Sequence, residues 1–350
     1  MRILIIGGTS FIGPHVVKLL VERGHQVTVF HRGGQEAVEL PSAVAHLYGD
    51  RTRMLERREE FRRLAPEVVL DMIPSTQEDA DMLVRTFAGI AQRIVAVSSQ
   101  DVYRAYGLVR GSETGDLELE ATPITESSRL RETFYPYGDS SKAADDWCNR
   151  YEKILVEQAV MDCDSSAGTI VRLPAIYGPK DSQHRLFSYL NLQRIVDRRP
   201  YIVLDEAFAQ WRWTHAYVEN AALAIVLAVV DSRSAGRIYN VGEPEAPLMI
   251  DFVQKIGEQL GWQGDIVRVP KSDLPEQLQF PLNTSQQLIV DSSRIREELG
   301  YKESVSWEEG LSKTIQWEVE HLPAAIDRKY RMKLDYEKED EFLQSIGIKL

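Results

Sequence analysis

Cysteine is scarce in this chain: its 350 residues include only Cys148 and Cys163, which show no metal-ligand spacing. The sequence also lacks any apolar run near the roughly 20 residues that span a bilayer, and its apolar N-terminal run is too short for a signal peptide. We therefore expect no disulfide scaffold, no metal site and no membrane segment. So few thiols are typical of a reducing compartment, which predicts a cytoplasmic protein.

Positive charge is also in deficit. The chain has 41 lysines and arginines against 53 aspartates and glutamates, a formal net charge of -12. Because an acidic surface repels the phosphate backbone, we do not expect a nucleic-acid partner. Hydrophobic content of 43% and charged content of 27% are ordinary for a globular protein, and the length suffices for one large core or two smaller ones.

The most informative segment is the N-terminus. An apolar run over residues 3–6 predicts a buried strand, and a helix is predicted over 14–23. Between them Gly7, Ser10 and Gly13 fit a Gly-x-x-Gly-x-x-Gly turn with serine in the middle place. Such a connection brings backbone N–H groups and the positive end of a helix to a pyrophosphate. It predicts a dinucleotide site, with a tight turn that binds no ligand as the alternative.

Short apolar segments alternate with amphipathic ones through the first half of the chain. Strands are predicted over 26–30, 44–48, 67–73, 93–98 and 169–173, and helices over 53–64, 77–88 and 141–161. This rhythm predicts an α/β fold, a Rossmann-type doubly wound parallel sheet with helices on both faces. Residues 104–135 interrupt the rhythm and predict a long polar loop, a kind of segment that usually has a function.

The second half consists of smaller pieces. Helices are predicted over 186–197, 218–230 and 250–260, a strand over 238–241, and a last helix to about 321 that Ser304 or Ser306 would cap. We expect a dinucleotide-binding domain of residues 1–180 with about 212–242, and a smaller C-terminal α+β substrate domain of about 181–211 and 243–322. The charged tail, 323–350, is expected to be a docked arm or partly disordered.

Seven motifs in one order over residues 1–320 resemble the extended short-chain dehydrogenase/reductases, the group that contains nucleotide-sugar epimerases and dehydratases. They are Gly7-Gly-Thr-Ser-Phe-Ile-Gly13, Gly49-Asp50, Val97-Ser-Ser-Gln-Asp-Val-Tyr103, Arg172-Leu-Pro-Ala-Ile-Tyr-Gly-Pro179, Arg212-Trp-Thr-His-Ala-Tyr-Val-Glu-Asn220, Tyr239-Asn-Val-Gly242 and Val290-Asp-Ser-Ser-Arg-Ile-Arg-Glu-Glu-Leu-Gly300. The resemblance implies an NAD(P)-dependent epimerase, dehydratase or reductase acting on a sugar-like hydroxyl or carbonyl. A dinucleotide-binding sensor or partner protein with little or no catalysis is the alternative.

The resemblance also implies which residues hold the cofactor. Asp50 would accept from the adenine amino group, and an acid at the end of the second strand would bind the ribose. That place is occupied here by His31-Arg32, and a guanidinium suits a 2′-phosphate, so NADP is expected ahead of NAD. The implied contacts are Gly7, Thr9, Ser10, Phe11, Ile12, Gly13, His31, Arg32, Asp50, Arg51, Met72, Ile73, Ser98, Lys153, Leu173 and Tyr177.

The family's chemistry uses a tyrosine that exchanges a proton with the substrate, a lysine one helical turn later, and a serine or threonine on the same hydroxyl. Ser99 occupies the Ser/Thr position, but Tyr-x-x-x-Lys is absent. Two pairs compete, Tyr137 with Lys142 and Tyr151 with Lys153; the second pair would point about 200° apart on an ideal helix. The distance to the next strand favours Lys153, with Tyr151 or Tyr137 as proton donor. Core packing of Tyr151 and a solvated Lys142 are the structural alternatives.

Three further residues are candidates for the substrate side. Gln100-Asp101 stands where sugar dehydratases carry Asp-Glu, so Asp101 is a candidate acid/base, while Gln100 argues against a full dehydratase mechanism. Arg212 and Trp213 are candidates for gripping a nucleotide phosphate and stacking on a base or sugar, with core packing as the alternative for the indole. The expected partner is a small sugar-like molecule, and the assembly is open between a monomer and a homodimer.

Overall fold

A seven-stranded parallel sheet forms the centre of the protein in the computed structural model, which describes residues 1–34, 40–185, 191–322 and 334–350. Its strands are β1 (Arg2–Ile6), β2 (Gln26–His31), β3 (Ala45–Tyr48), β4 (Val68–Asp71), β5 (Arg93–Ser99), β6 (Ala167–Leu173) and β10 (Arg237–Asn240). They lie in the order β10-β6-β5-β4-β1-β2-β3. Six of them repeat the order of a dinucleotide-binding sheet, and β10 extends it. The predicted fold class is confirmed.

Two parallel strand pairs lie outside the central sheet. The first pairs β7 (Ala175–Tyr177) with β9 (His215–Tyr217), and the second pairs β8 (Tyr201–Asp205) with β11 (Asp265–Val269). The second pair comes from the segments that we assigned to the substrate domain. The division into two domains stays a prediction.

Helices cover both faces of the central sheet. The α-helices of the described residues are α1 (Ile12–Glu22), α2 (Arg58–Leu64), α3 (Gln77–Phe87), α4 (Arg104–Arg110), α5 (Trp147–Arg150), α6 (Lys153–Met161), α7 (Leu192–Val196), α8 (Glu206–Ala209), α9 (Val218–Val230), α10 (Met249–Gln259), α11 (Ser293–Leu299), α12 (Trp307–Glu320) and α13 (Tyr336–Ser345). Short 3-10 turns occur at Arg51–Arg57, Gln100–Val102, Ser232–Ser234, Lys271–Asp273 and Glu276–Leu278. None of the helices in these ranges is long and apolar enough to cross a bilayer.

The sequence of β1 explains why the sheet is covered on both sides. Ile3 and Ile5 point into one hydrophobic core while Leu4 and Ile6 point into another, because alternate strand residues face opposite ways. All four are buried. Helices α1 and α9 pack together on the sheet, as do α3 and α6. A continuous apolar run is thus the pattern of a strand buried on both faces.

The predicted long helix over 141–161 is wrong. Only α5 and α6 are helical, and between them Tyr151 (φ -67°, ψ 119°) and Glu152 (φ -156°, ψ 98°) are extended. Asn149 donates to the carbonyls of Asp139 and Ala143, and it accepts from the Asp139 N–H at 2.7 Å. Side-chain bonds of this kind compete with a helix, since they offer the backbone other partners. Residues 138–150, here called the 138–150 segment, are turns and one short helix.

Other predictions need smaller corrections. The polar loop predicted from residue 104 is wrong at its start, because α4 is a helix in which all residues but Arg110 are buried. Ser306, not Ser304, caps α12 by accepting from the Glu309 N–H. Residues 186–190 of one predicted helix and 323–333 of the tail lie outside the described residues. Residues 334–350 include α13, which is docked by ion pairs that join Arg194 to Glu339 and Arg199 to Asp340.

Candidate active site

The turn after β1 has the shape of an anion cradle. Gly7 and Gly8 both have φ near +85°, a backbone region that favours glycine. A Cβ on Gly13 would lie 2.4 Å from the Gly8 Cα, so only glycine lets α1 approach the turn this closely. The helix begins at Ile12 and directs its unpaired N–H groups at the turn. The chain therefore fits a bound pyrophosphate at this point.

A cleft of about 1040 Å³ opens beside this turn at the carboxyl ends of the strands. Of the sixteen residues implied to hold a cofactor, eight line it, namely Gly7, Thr9, Ser10, His31, Arg32, Asp50, Arg51 and Ile73. Phe11, Ile12, Gly13, Met72, Ser98, Lys153, Leu173 and Tyr177 are not part of this lining. Trp147 and Arg150 of the 138–150 segment also line the cleft, and sequence reasoning did not single them out.

Histidine and arginine occupy the end of β2. His31 Nε2 lies 3.0 Å from His46 Nδ1, and the Gly33 N–H donates to His31 Nδ1 at 3.3 Å. Since Nδ1 accepts, the proton of a neutral His31 is on Nε2. Burial and then the neighbouring His46 lower the pKa of His31. Arg32 is exposed beside them. In the family, an acidic residue at the end of the second strand binds the ribose. Here the end of β2 has hydrogen-bond donors at that place and no carboxylate.

Asp50 and Arg51 are already engaged in the structure. The Asp50 carboxylate accepts from the N–H and hydroxyl of Thr52, bonds that lower the pKa of Asp50. The Arg51 guanidinium lies 2.9 Å from both Asp71 and Asp79. Asp71 is completely buried at the end of β4. The arginine neutralises two carboxylates that would otherwise repel a phosphate in the cleft.

Tyr151 and Lys153 form the centre of the candidate catalytic group. In extended backbone, residues two apart share a face, so Tyr151 and Lys153 point the same way and not about 200° apart. The Lys153 Nζ lies 6.0 Å from the centre of the Tyr151 ring. Glu152 points the opposite way, where it accepts from Arg131 at 2.8 Å and caps α6. The predicted pair is brought together because α6 starts only at Lys153.

Asp101 joins two tyrosines from different segments. Its Oδ2 accepts from the Tyr151 hydroxyl at 2.7 Å and from the Tyr137 hydroxyl at 3.0 Å. Burial, and then the Asp101 charge, raise the pKa of Tyr151 well above its ordinary value, while a hydrogen bond with Ser99 acts in the opposite direction. The Asp101 N–H donates to Ser99 Oγ at 3.2 Å. Four of the six candidate catalytic residues thus lie together, with Lys153 beside them. The four are Ser99, Asp101, Tyr137 and Tyr151.

Lys142 is the sixth candidate and lies elsewhere. Its Nζ donates to Cys148 Sγ at 3.2 Å, within the 138–150 segment. Lys153 donates to the carbonyls of Pro74 and Val97, and burial lowers the pKa of Lys153 to about 8. An ammonium has three N–H groups, so these contacts leave one for a ligand. The geometry supports Lys153 over Lys142.

Ser98 and Gln100 belong to the core, not to the cleft. Ser98 Oγ donates to Glu157, and Glu157 forms a buried two-pronged ion pair with Arg172. Gln100 has no exposed surface and donates its amide to the carbonyl of Val241 at 2.6 Å. In the sequence, this network of Ser98, Glu157 and Arg172 is indicated only by the position of Glu157, one helical turn after Lys153. An amide held in this way has no proton to exchange with a substrate.

Tyr177 and Leu173, which the resemblance implies as cofactor contacts, are both buried. The Tyr177 ring is 1% exposed, and its hydroxyl donates to Glu243 at 2.8 Å. Burial raises the pKa of Glu243 to about 7. Leu173 is buried beside Ser99, its register partner in the sheet. The Tyr177 ring therefore lies in the core, and its contact with a nicotinamide stays a prediction.

The block that contains Arg212 and Trp213 lies between core and surface. Arg212 is exposed, although one of its guanidinium nitrogens donates to the Ala246 carbonyl at 2.6 Å. Trp213 is half-buried, packs 5.4 Å from Trp211, and donates to the Tyr106 hydroxyl at 3.3 Å. Trp211 is fully buried. Core packing accounts for Trp211, while Arg212 keeps the exposure that a phosphate ligand needs. Among the described ranges there is no group of three side chains that suits a metal ion.

Known proteins are similar in sequence to most of the length of this chain. The chain is 26% identical to the UDP-N-acetyl-alpha-D-glucosaminuronate decarboxylase of Bacillus cytotoxicus over 334 residues, which are 90% of this chain and 97% of that protein. It is 28% identical to the 2'-dehydrokanamycin reductase of Streptomyces kanamyceticus over 297 residues, 80% of this chain and 72% of that one.

A solved structure agrees with the fold. The UDP-glucuronic acid 4-epimerase of Bacillus cereus, crystallised with UDP-glucuronic acid and NAD, superposes with a TM-score of 0.65 at 16% identity, over 92% of this chain and 100% of that one. At that identity the likeness is one of fold. The family model for the NAD dependent epimerase/dehydratase family matches residues 3–242, which is more than half of the chain. The protein therefore belongs to the NAD-dependent epimerase/dehydratase family.

Proposed function

We propose that the protein oxidises or reduces a sugar-like hydroxyl or carbonyl, with Tyr151 exchanging the proton of the reacting oxygen. The nicotinamide of the bound dinucleotide supplies the hydride acceptor or donor. The observation that carries the proposal is the convergence of Tyr151, Ser99 and Lys153 at the end of β5, on the side of the sheet where the cleft opens. These are the residue types and contacts that proton exchange with a hydroxyl requires.

Each of the three residues has a distinct task. Tyr151 gives or takes the proton at its Oη, and Ser99 holds the same substrate oxygen through its Oγ. Lys153 offers its third N–H to the ribose of the cofactor, since the carbonyls of Pro74 and Val97 engage the other two. With a pKa of about 8, the ammonium is mostly charged at neutral pH and provides a positive charge in a buried site.

The reaction type follows from the residues beside this group. A dehydration that used an acid and a base here would need two carboxyl groups, but the neighbour of Asp101 is the buried amide of Gln100. We therefore favour a reductase or epimerase over a dehydratase. The names of the relatives, one for a UDP-sugar and one for a kanamycin derivative, support a sugar-like substrate.

We propose NADP as the preferred cofactor, with NAD as the alternative. Arg32 lines the cleft beside His31, and the Gly33 N–H is adjacent. A guanidinium forms strong two-pronged hydrogen bonds with a phosphate, whereas a ribose diol is better matched by a carboxylate acceptor. The cytoplasmic location, the absence of a nucleic-acid partner and a homodimer also stay predictions.

The test is a fluorescence titration with NADPH and NADH, followed by turnover assays on UDP-sugars and their keto derivatives. We expect binding by the wild type, weaker binding by Lys153→Ala, and wild-type binding by the matched control Lys142→Ala. Turnover should be lost in Tyr151→Phe while binding persists. Tight binding with no turnover of any sugar by the wild type would favour the sensor alternative. Absence of binding would refute the proposal.

A further inference from the structure

The surroundings of the Asp101 carboxylate indicate that this group does more than accept hydrogen bonds. Its Oδ2 receives hydroxyl donors from Tyr151 and Tyr137, which lie on either side of the 138–150 segment. The side chain is almost completely buried, and its Oδ1 has no hydrogen-bond partner among the described residues. A buried carboxylate oxygen without a partner is unusual, and such groups are found where a proton or ligand is exchanged.

We propose that Asp101 is the proton acceptor of the reaction and that Tyr151 relays the proton to it. This inference rests on the proposed function. During oxidation the substrate O–H bond breaks and its proton moves to Tyr151 Oη, while the phenolic proton of Tyr151 moves to Asp101 Oδ2. The carboxylate becomes a carboxylic acid, Tyr151 stays neutral, and the hydride leaves the substrate for the nicotinamide. Reduction reverses each transfer, so protons and charge balance in both directions.

Charge explains why a relay is favoured over a preformed tyrosinate. A deprotonated Tyr151 would place a second negative charge 2.7 Å from the Asp101 oxygen in a buried site. Two like charges at that distance strongly disfavour each other. In the relay only one negative charge exists at any time. The direction of the hydrogen bond agrees, since the Tyr151 hydroxyl already donates to Asp101.

Tyr137 is the positioning residue of this arrangement. Its hydroxyl donates to the second lone pair of Asp101 Oδ2, so it can stay in place when that oxygen gains a proton. The centre of its ring lies 5.0 Å from the centre of the Tyr151 ring, and the Arg110 guanidinium lies over the Tyr137 ring, 4.2 Å from its centre. Tyr137, just before the 138–150 segment, thus brings a second hydroxyl to the carboxylate.

The other charged and titratable groups around Asp101 are accounted for. Lys153 supplies a positive charge from α6, and it has no carboxylate partner within ion-pair distance among the described residues. Arg131 donates to the Asp101 carbonyl, but its charge is matched by the buried Glu152. Tyr106 of α4 is buried, which raises its pKa, and it donates to Gln100. None of these contacts occupies Asp101 Oδ1.

The first experiment measures tyrosine ionisation without cofactor or substrate, by near-ultraviolet absorbance. The wild type and Tyr151→Phe should show the same tyrosinate signal up to about pH 10, because Tyr151 stays protonated. Asp101→Asn removes the neighbouring charge, so an additional tyrosine should ionise at lower pH, and that increment should vanish in Asp101→Asn/Tyr151→Phe. Tyr137→Phe is the matched control, because it removes the other tyrosine hydroxyl that donates to Asp101. A wild-type tyrosinate that titrates near neutral pH and disappears in Tyr151→Phe would overturn the relay.

The second experiment measures turnover and binding in the same variants. Asp101→Asn preserves the side-chain shape but cannot take a proton, so oxidation should fall by about 100-fold or more while dinucleotide affinity is unchanged. Asp101→Glu should recover part of the rate. Asp101→Asn activity within a few-fold of the wild type would also overturn the relay. If the wild type turns over no sugar, the proposed function fails and the relay fails with it. Turnover by a wild type whose Tyr151 ionises near neutral pH would overturn the relay alone.

Discussion

Tyr151 and Lys153 face the same side of the chain although a single residue separates them. The reason is that α6 begins at Lys153, so the residues before it follow the two-residue repeat of extended backbone. Asn149 stands four residues before the lysine, at the place of the missing signature tyrosine, and its side chain instead ties the turns of the 138–150 segment. The proposed tyrosine and lysine thus lie close together in space although the Tyr-x-x-x-Lys signature is absent from the sequence.

Replacing the tyrosines should separate their roles. Tyr151→Phe should lower turnover by about 100-fold or more, since it removes the exchanging proton, and Tyr137→Phe by about tenfold. The double variant Asn149→Tyr/Tyr151→Phe restores Tyr-x-x-x-Lys in sequence, yet it should not regain activity because extended backbone at residues 151 and 152 separates α5 from α6, so residues 149 and 153 are not one turn apart on a single helix. Steady-state kinetics with dinucleotide titrations check this, and recovery of activity in the double variant would show that residue 149 reaches the site.

Lys153→Met should make the cofactor-free protein more stable at neutral pH. Burial depresses the pKa of Lys153 from 10.5 to about 8, which corresponds to about 3 kcal/mol of unfolding free energy. The unfolded chain binds more protons between those values, so wild-type stability rises with pH across this window. The gain of the variant should be constant below about pH 8 and shrink toward pH 10.5. Urea unfolding at several pH values measures it, and Lys142→Met is the control; a less stable Lys153→Met would contradict the account.

Arg32→Ala should weaken NADPH binding by about tenfold or more and leave NADH binding nearly unchanged. NADPH affinity of the wild type should also increase as the pH falls below the ordinary pKa of histidine, because a protonated His31 adds a positive charge for the phosphate. Its lowered pKa means that most of this effect lies below the ordinary value for histidine. Titrations with both cofactors test this, with Arg63→Ala, an exposed arginine outside the cleft, as control. Equal loss for both cofactors would argue against a phosphate contact.

Gln100→Glu restores an acid at the place where sugar dehydratases carry one, and it should destabilise the protein without adding dehydratase activity. The amide donates to the Val241 carbonyl and accepts from Tyr106, and a carboxylate would be buried against that carbonyl. We expect a loss of about 2 kcal/mol or more in urea unfolding. The exposed Gln92→Glu, just before β5, is the control and should change stability little. A stable Gln100→Glu variant that dehydrates a sugar would contradict this assignment.

The strands and most helices could be predicted because their signals are local. Continuous apolar runs mark strands buried on both faces. The helix predicted over 218–230 coincides with α9, in which residues 221–230 are all apolar. The helix over 141–161 could not be predicted correctly, since Asn149, Asp139 and Ala143 meet only in the folded chain. The docking of α13 likewise depends on Arg194 and Arg199, which lie about 140 residues earlier in the chain.

By itself the sequence determined the dinucleotide fold and the candidate residues, because glycine turns, apolar runs and ordered motifs reflect short-range physics. Only the tertiary structure decided which candidates act together. Asp101, Tyr137, Tyr151 and Lys153 come from three separate parts of the chain, and a hydrogen bond between distant residues leaves no pattern in one sequence. The tertiary structure also places Ser98 and Tyr177 in the core, since burial depends on the packing of elements that the local sequence does not encode.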